Sequence, residues 1–174
     1  MDFELHPLIC LGSRTFHVLV APVQMLVGAM NAHLDMQRFK VLYVCGNYSR
    51  ILSSLDRGFT SLEIRRAFTA FQLMTILEES HHTLLIIEHD PLFYEDAAEM
   101  VEYAARALKE AANNSVVLLY APASDPHLEE MIKYADRVFC FAEGPRPAAR
   151  PNAKNGRKTQ AQAMVASQTT FEAF

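Results

Sequence analysis

At 174 residues, with 51% hydrophobic and 21% charged composition, the chain is long enough for one good core, and one domain plus a tail is the expected organisation. No apolar run approaches the roughly 20 residues of a membrane helix, and the opening MDFELHPLICL is acidic where a signal peptide is basic, so a cytoplasmic protein is expected. The net charge of −4 hides an asymmetry: residues 1–144 carry 11 Lys and Arg against 19 Asp and Glu, whereas residues 145–174 carry five basic residues against Glu172 alone. An acidic core is a poor phosphate-binding face, because nucleic-acid binders present a basic stripe. Any DNA contact is expected from Arg146, Arg150, Lys154, Arg157 and Lys158 of the tail. The cysteines, Cys10, Cys45 and Cys140, are odd in number and lack CxxC spacing, so neither a disulfide framework nor a structural zinc site is indicated. They are expected to be buried, reduced and inert.

In chain order, FHVLVA (16–21) reads as the first buried strand and VQMLVGAMNAHL (23–34) as a helix. KVLYVC (40–45) is the next strand, with a further one near Glu63 to Ala67. AFQLMTILEES (70–80) is helical, and TLLIIE (83–88) is a strand. The stretch 96–114 is the clearest helix: Ala97, Ala98, Val101, Ala104, Ala105 and Leu108 recur at three and four, with Glu99, Glu102, Arg106 and Lys109 on the other face. SVVLLYA (115–121), the helix DPHLEEMIKYA (125–135) and the strand RVFCFAE (137–143) complete the series. Met25, Met30, Met74, Met100 and Met131 fall at apolar helical positions and read as core filler. Strands alternating with helices predict an α/β fold, a mostly parallel sheet with helices on both faces. After Gly144 the composition turns to Pro, Ala, Asn and basic residues without apolar period, which predicts a flexible basic linker over 145–167 and a separate terminal segment, 168–174.

Ligands of such sheets bind at the carboxyl ends of the strands. There RRAFTAFQLMTILEES followed by LLIIEHDPLF resembles the core of RecA-like recombinase ATPases, especially the archaeal RadA and RadB group, in which an arginine-alanine-phenylalanine segment leads through a helix to an aliphatic strand ending in the Walker B acid. VLYVCGNYSRILSSL and ADRVFCFAEG resemble two further strands of that family, so the similarity runs in order over residues 14–144. The resemblance implies a RecA-like, P-loop NTPase-type sheet, and the departures from it imply loss of activity. A phosphate loop needs glycines, a Lys for the terminal phosphates and a Ser or Thr for magnesium. Between first strand and helix this chain offers Pro22, Val23 and Gln24, and proline removes one of the amide donors. Asn47 stands where the family has its catalytic glutamate, and Glu88 stands at the Walker B position. Pro22, Val23, Asn47 and Glu88 thus mark a degenerate nucleotide site, and the expectation is an inactive ATPase homologue with neither catalytic residues nor cofactor. Nucleotide binding without hydrolysis is weakened by the missing Gly and Lys.

Two further groups bear on function. Glu88, His89 and Asp90 follow one strand and Asp125 and His127 follow the next; in a RecA-like sheet order both groups share a rim, where carboxylates and imidazoles, namely Glu88, Asp90, Asp125 and His127, can hold a divalent metal, the alternative being a metal-dependent hydrolase or nuclease. The plainer reading, which weighs more, is that Asp90 and Asp125, each next to a proline, cap turns. His81 and His82 precede their strand, at the opposite rim, and read as loop histidines. QTTFEAF (168–174) resembles the PIP box that binds the sliding clamp (PCNA): Gln168, Phe171 and Phe174 occupy positions one, four and seven, with Phe171 where an aliphatic residue is usual and no eighth residue. In a 3₁₀ turn residues three apart eclipse, so the two phenylalanines would project side by side. The combined expectation is a non-catalytic adaptor in DNA repair, recombination or replication, with PCNA as one partner and a RadA-type recombinase or other repair protein as a second.

Overall fold

The computed structural model describes residues 3–32, 39–56 and 62–141. The chain opens with a hairpin, β1 (Phe3–His6) and β2 (Ile9–Leu11), then runs β3 (Phe16–Val20), α1 (Val23–Ala32), β4 (Val41–Cys45), β5 (Leu62–Arg66), α2 (Ala70–Glu78) and β6 (Leu84–Glu88). A 3₁₀ turn (Pro91–Tyr94), α3 (Met100–Ala111), β7 (Val116–Ala121), α4 (Pro126–Ile132) and β8 (Arg137–Cys140) follow. Strands β3 to β8 form one sheet in the order β5-β4-β6-β7-β3-β8, and every pairing in it is parallel. The protein is therefore α/β, as the alternation of elements predicts.

Period-two side-chain placement sorts the strand residues into two cores. Phe16, Val18, Leu42, Val44, Leu85, Ile87, Val117 and Leu119 face α2, α3 and α4, meeting Leu73, Leu77, Ala104, Leu108, Leu128 and Met131. Leu19, Val41, Tyr43, Ile86, Leu118 and Tyr120 face the other way, against Leu26 and Met30 of α1 and Leu5, Ile9 and Leu11 of the hairpin. Strands buried on both faces explain why their sequences are continuous apolar runs. The β5 strand departs from this: with Glu63, Ile64 and Arg66 exposed, it lies at the sheet's edge.

Three expectations are corrected. The hairpin was not anticipated; it turns at Pro7 and Leu8, and its first strand carries a register shift between Glu4 and His6. Helix α3 begins at Met100, four residues after the predicted start, and Ala98 is exposed while Met100 is buried. Of the cysteines Cys45 alone is buried; Cys10 alternates outward between Ile9 and Leu11, and Cys140 lies on the edge strand β8, so both are exposed. All three are free thiols. No described helix is long and apolar enough to cross a membrane.

Candidate functional site

At the carboxyl rim of the sheet the connection from β3 to α1 consists of Ala21 and Pro22 alone. The Ala21 amide donates to the Ala121 carbonyl (3.1 Å) and its carbonyl accepts from the Tyr120 hydroxyl (3.0 Å), while Pro22 accepts from Met25 at the helix start (2.9 Å). No loop is left to wrap an anion, and the fully buried Tyr120 fills the space beside the turn. Burial and the neighbouring Glu88 push the Tyr120 hydroxyl up to about 12, so it stays a neutral donor.

Glu88 closes β6 on the same face. Its Oε2 accepts from the hydroxyl of buried Tyr43 at 2.7 Å, and that hydroxyl also lies 3.4 Å from Ser49 Oγ. Burial, then the Glu88 charge, drives the Tyr43 pKa upward, fixing the phenol as donor and the carboxylate as acceptor. The Glu88 carboxylate is thus held by a side chain of the neighbouring strand. Asn47 is exposed; its carbonyl and that of Gly46 accept from Arg66 Nη1 at 2.6 and 3.1 Å, which fastens the loop after β4 to β5.

On the opposite face lies a second pair. His89 Nε2 meets Asp125 Oδ2 at 2.7 Å, with the imidazole almost wholly buried beneath Tyr94, whose ring stacks on it at 6.2 Å. Burial lowers the His89 pKa and the Asp125 charge offsets part of that, so the ring is neutral. Burial alone would raise the Asp125 carboxyl, but the Leu128 amide, the His89 ring and the His127 amide together hold it below its ordinary range. An ionised carboxylate only accepts, so Nε2 carries the proton, and the buried Nδ1 has no hydrogen-bond partner.

Asp90 and Asp125 are caps. Each is an extended N-cap residue followed by proline at the first helical position: Asp90 accepts from the Leu92 amide (3.1 Å), and Asp125 from those of His127 and Leu128 (both 2.9 Å). The four residues of the metal reading are therefore not brought together as ligands. Glu88 is engaged by Tyr43, Asp125 by His89 and two amides, and Asp90 by its turn. Among the described residues no group of three or more His, Cys, Asp or Glu is placed to hold a metal ion.

What the rim does offer is apolar. Tyr48 after β4 is 87% exposed, Phe68 after β5 is 54% exposed and Leu92 after β6 is 62% exposed, and these are three neighbouring strands. Phe71, in the first turn of α2, is exposed as well. Local bonds hold these positions: Thr69 caps α2 by accepting from the Gln72 amide (3.3 Å), and Gln72 Oε1 accepts from the Phe68 amide (2.8 Å), a reciprocal arrangement close to a capping box. Cavities of about 350 and 240 Å³ lie at the other rim, one lined by Lys40, Glu63, His81 and His82, the other by Arg14, Phe39, Thr83 and Asn114. There His82 is engaged by Glu63 (3.0 Å) and Ser80 (3.0 Å).

Of the residues singled out from sequence, Pro22, Val23, Asn47 and Glu88 do share the carboxyl rim. Arg146, Arg150, Lys154, Arg157, Lys158, Gln168, Phe171 and Phe174 lie outside the described residues. Tyr43, Tyr120 and Arg66 went unnoticed, and His89, expected beside Glu88 and Asp90 at the rim, is instead buried on Asp125; for the tyrosines the available signal was a polar tip inside an aliphatic run, which requires a buried partner.

No family model matches the chain. Over 125 residues, 71% of its length, it is 30% identical to an uncharacterized protein of the archaeon Archaeoglobus fulgidus, and it covers 63% of that protein.

Proposed function

We propose that the protein is a non-catalytic, RecA-like adaptor in DNA repair, recombination or replication. In this reading the carboxyl rim has changed from a nucleotide site into a protein-docking surface, and Gln168, Phe171 and Phe174 engage the sliding clamp. The observation that carries it is the β3–α1 connection: two residues, closed by the Tyr120 hydroxyl on the Ala21 carbonyl, stand where a phosphate loop must present several amides. Glu88, tied to Tyr43, points the same way. The exposed Tyr48, Phe68, Phe71 and Leu92 supply the aromatic and aliphatic anchors typical of protein interfaces. A RadA-type recombinase or another repair protein is the partner class for that surface. The basic residues at 146–158 suit a tail that approaches a clamp encircling DNA.

Two contacts reinforce each other through effective concentration, so a micromolar tail motif is sufficient when the rim is also engaged. The test is calorimetric titration of the clamp with the full chain and with a Phe171→Ala, Phe174→Ala variant. The wild type is expected to bind and the variant to lose at least about tenfold in affinity, since each buried aromatic anchor contributes about 2 kcal/mol or more. Equal affinities, or no binding by either, would remove the clamp from the proposal.

A further inference from the structure

We propose that the β5 edge is an interface between two copies of this chain, in which β5 pairs antiparallel with its counterpart across a two-fold axis at Ile64. The inference is independent of the adaptor reading. It begins with the ladder. Ala67 donates its amide to the Cys45 carbonyl (3.0 Å), and in a parallel ladder alternate residues turn toward the neighbour. Residues 63, 65 and 67 therefore turn to β4, while the amide and carbonyl of Leu62, Ile64 and Arg66 point away from the sheet. Among the described residues no strand pairs with that outer side. An exposed row of this kind is a template for another strand.

The side chains then say which strand. Proteins usually protect an edge with charge of one sign, so that two copies repel. This edge reads Leu62-Glu63-Ile64-Arg65-Arg66. Turned antiparallel about Ile64, Glu63 of each copy falls opposite Arg65 of the other, and two attractive cross-strand pairs form on the α2 face. Within one chain these groups are already held on that face, Arg65 lying 2.8 Å from Glu79 and 3.4 Å from Glu63, and Glu63 lying 3.0 Å from His82. Ile64 has the outward amide and carbonyl required of a residue on the axis, where two copies exchange two hydrogen bonds. Its side chain, 48% exposed on the other face, meets its own symmetry mate. A two-fold axis is the usual symmetry of such self-complementary patches. Backbone pairing, charge complementarity and burial of an exposed isoleucine thus favour the same register.

The experiment is sedimentation equilibrium of the full chain over a dilution series, with Glu63→Arg, Arg65→Glu and the double swap. The wild type is expected as a concentration-dependent dimer. Each single reversal turns two attractive pairs into two repulsive ones and is expected to raise the dimer dissociation constant at least about tenfold, and the swap to restore it. Circular dichroism and thermal midpoint identify each variant as folded, which the exposed positions favour. A monomer at every concentration overturns the proposal, as when residues 145–174 of the same chain cover the edge. So does a dimer that ignores both reversals, or one that folded double-swap protein fails to regain.

Discussion

Asp125 does two things with one carboxylate. Oδ1 accepts two amides at the start of α4, and Oδ2 accepts from the buried His89. Asp125→Ala removes the cap and strands an imidazole N–H in the interior, so a loss of about 2–4 kcal/mol is expected in denaturant unfolding. The same pair sets an acid limit. His89 has its pKa lowered from 6.5 by burial, so the unfolded chain binds a proton that the folded chain refuses. Its stability contribution is complete above 6.5 and is lost as pH falls from there toward the depressed folded value. His17, fully buried in β3 and likewise lowered by burial, acts in the same direction. The lowered Asp125 extends the loss at still lower pH. The thermal midpoint is therefore expected to fall when pH is taken from about 7 to about 5, and a flat profile would contradict two neutral buried histidines. The sequence placed His89 and Asp125 on one rim but not in contact, because they are 36 residues apart and their hydrogen bond depends on β6 and β7 being neighbours. The capping roles of Asp90 and Asp125 were legible, since Asp followed by Pro states them locally.

The parallel strands were legible at the level of elements, because continuous apolar runs bounded by turn residues admit few other readings. The hairpin was not: Leu5 is flanked by Glu4 and His6, but Ile9 and Leu11 stand in the apolar run Leu8-Ile9-Cys10-Leu11, and strands of four and three residues are too short for periodicity to register. Gly46 shows how closely two of these elements approach. A Cβ placed on it would lie 2.1 Å from Asp90 Oδ2 and 3.1 Å from Asp90 Cγ. The loop after β4 therefore packs on the cap of the 3₁₀ turn after β6. Gly46→Ala is expected to cost about 1–3 kcal/mol by displacing that carboxylate from the Leu92 amide. Removing the obstruction in Gly46→Ala, Asp90→Ala should give a smaller loss than the two single changes added together, read from denaturant midpoints.

The whole molecule divides its chemistry unequally between the two ends of its sheet. One end is closed by Tyr43 and Tyr120 and edged with exposed Tyr48, Phe68 and Leu92; the other carries two open cavities among the described residues. A ligand that binds the folded state raises its stability by RT ln(1 + [L]/Kd), so magnesium-ATP at about 100 times a genuine Kd would add about 2.7 kcal/mol. No shift in thermal midpoint is expected from millimolar-range magnesium-ATP, and a shift of several degrees would return nucleotide to the carboxyl rim. The hairpin has a consequence for how the chain is made. Residues 3–11 are synthesised before the other described elements, yet Leu5, Ile9 and Leu11 are buried in a core that also needs Met30 of α1, Ile86 of β6 and Tyr120 of β7. The apolar side chains of the hairpin therefore have to wait during synthesis for Leu118 and Tyr120, encoded more than a hundred residues later.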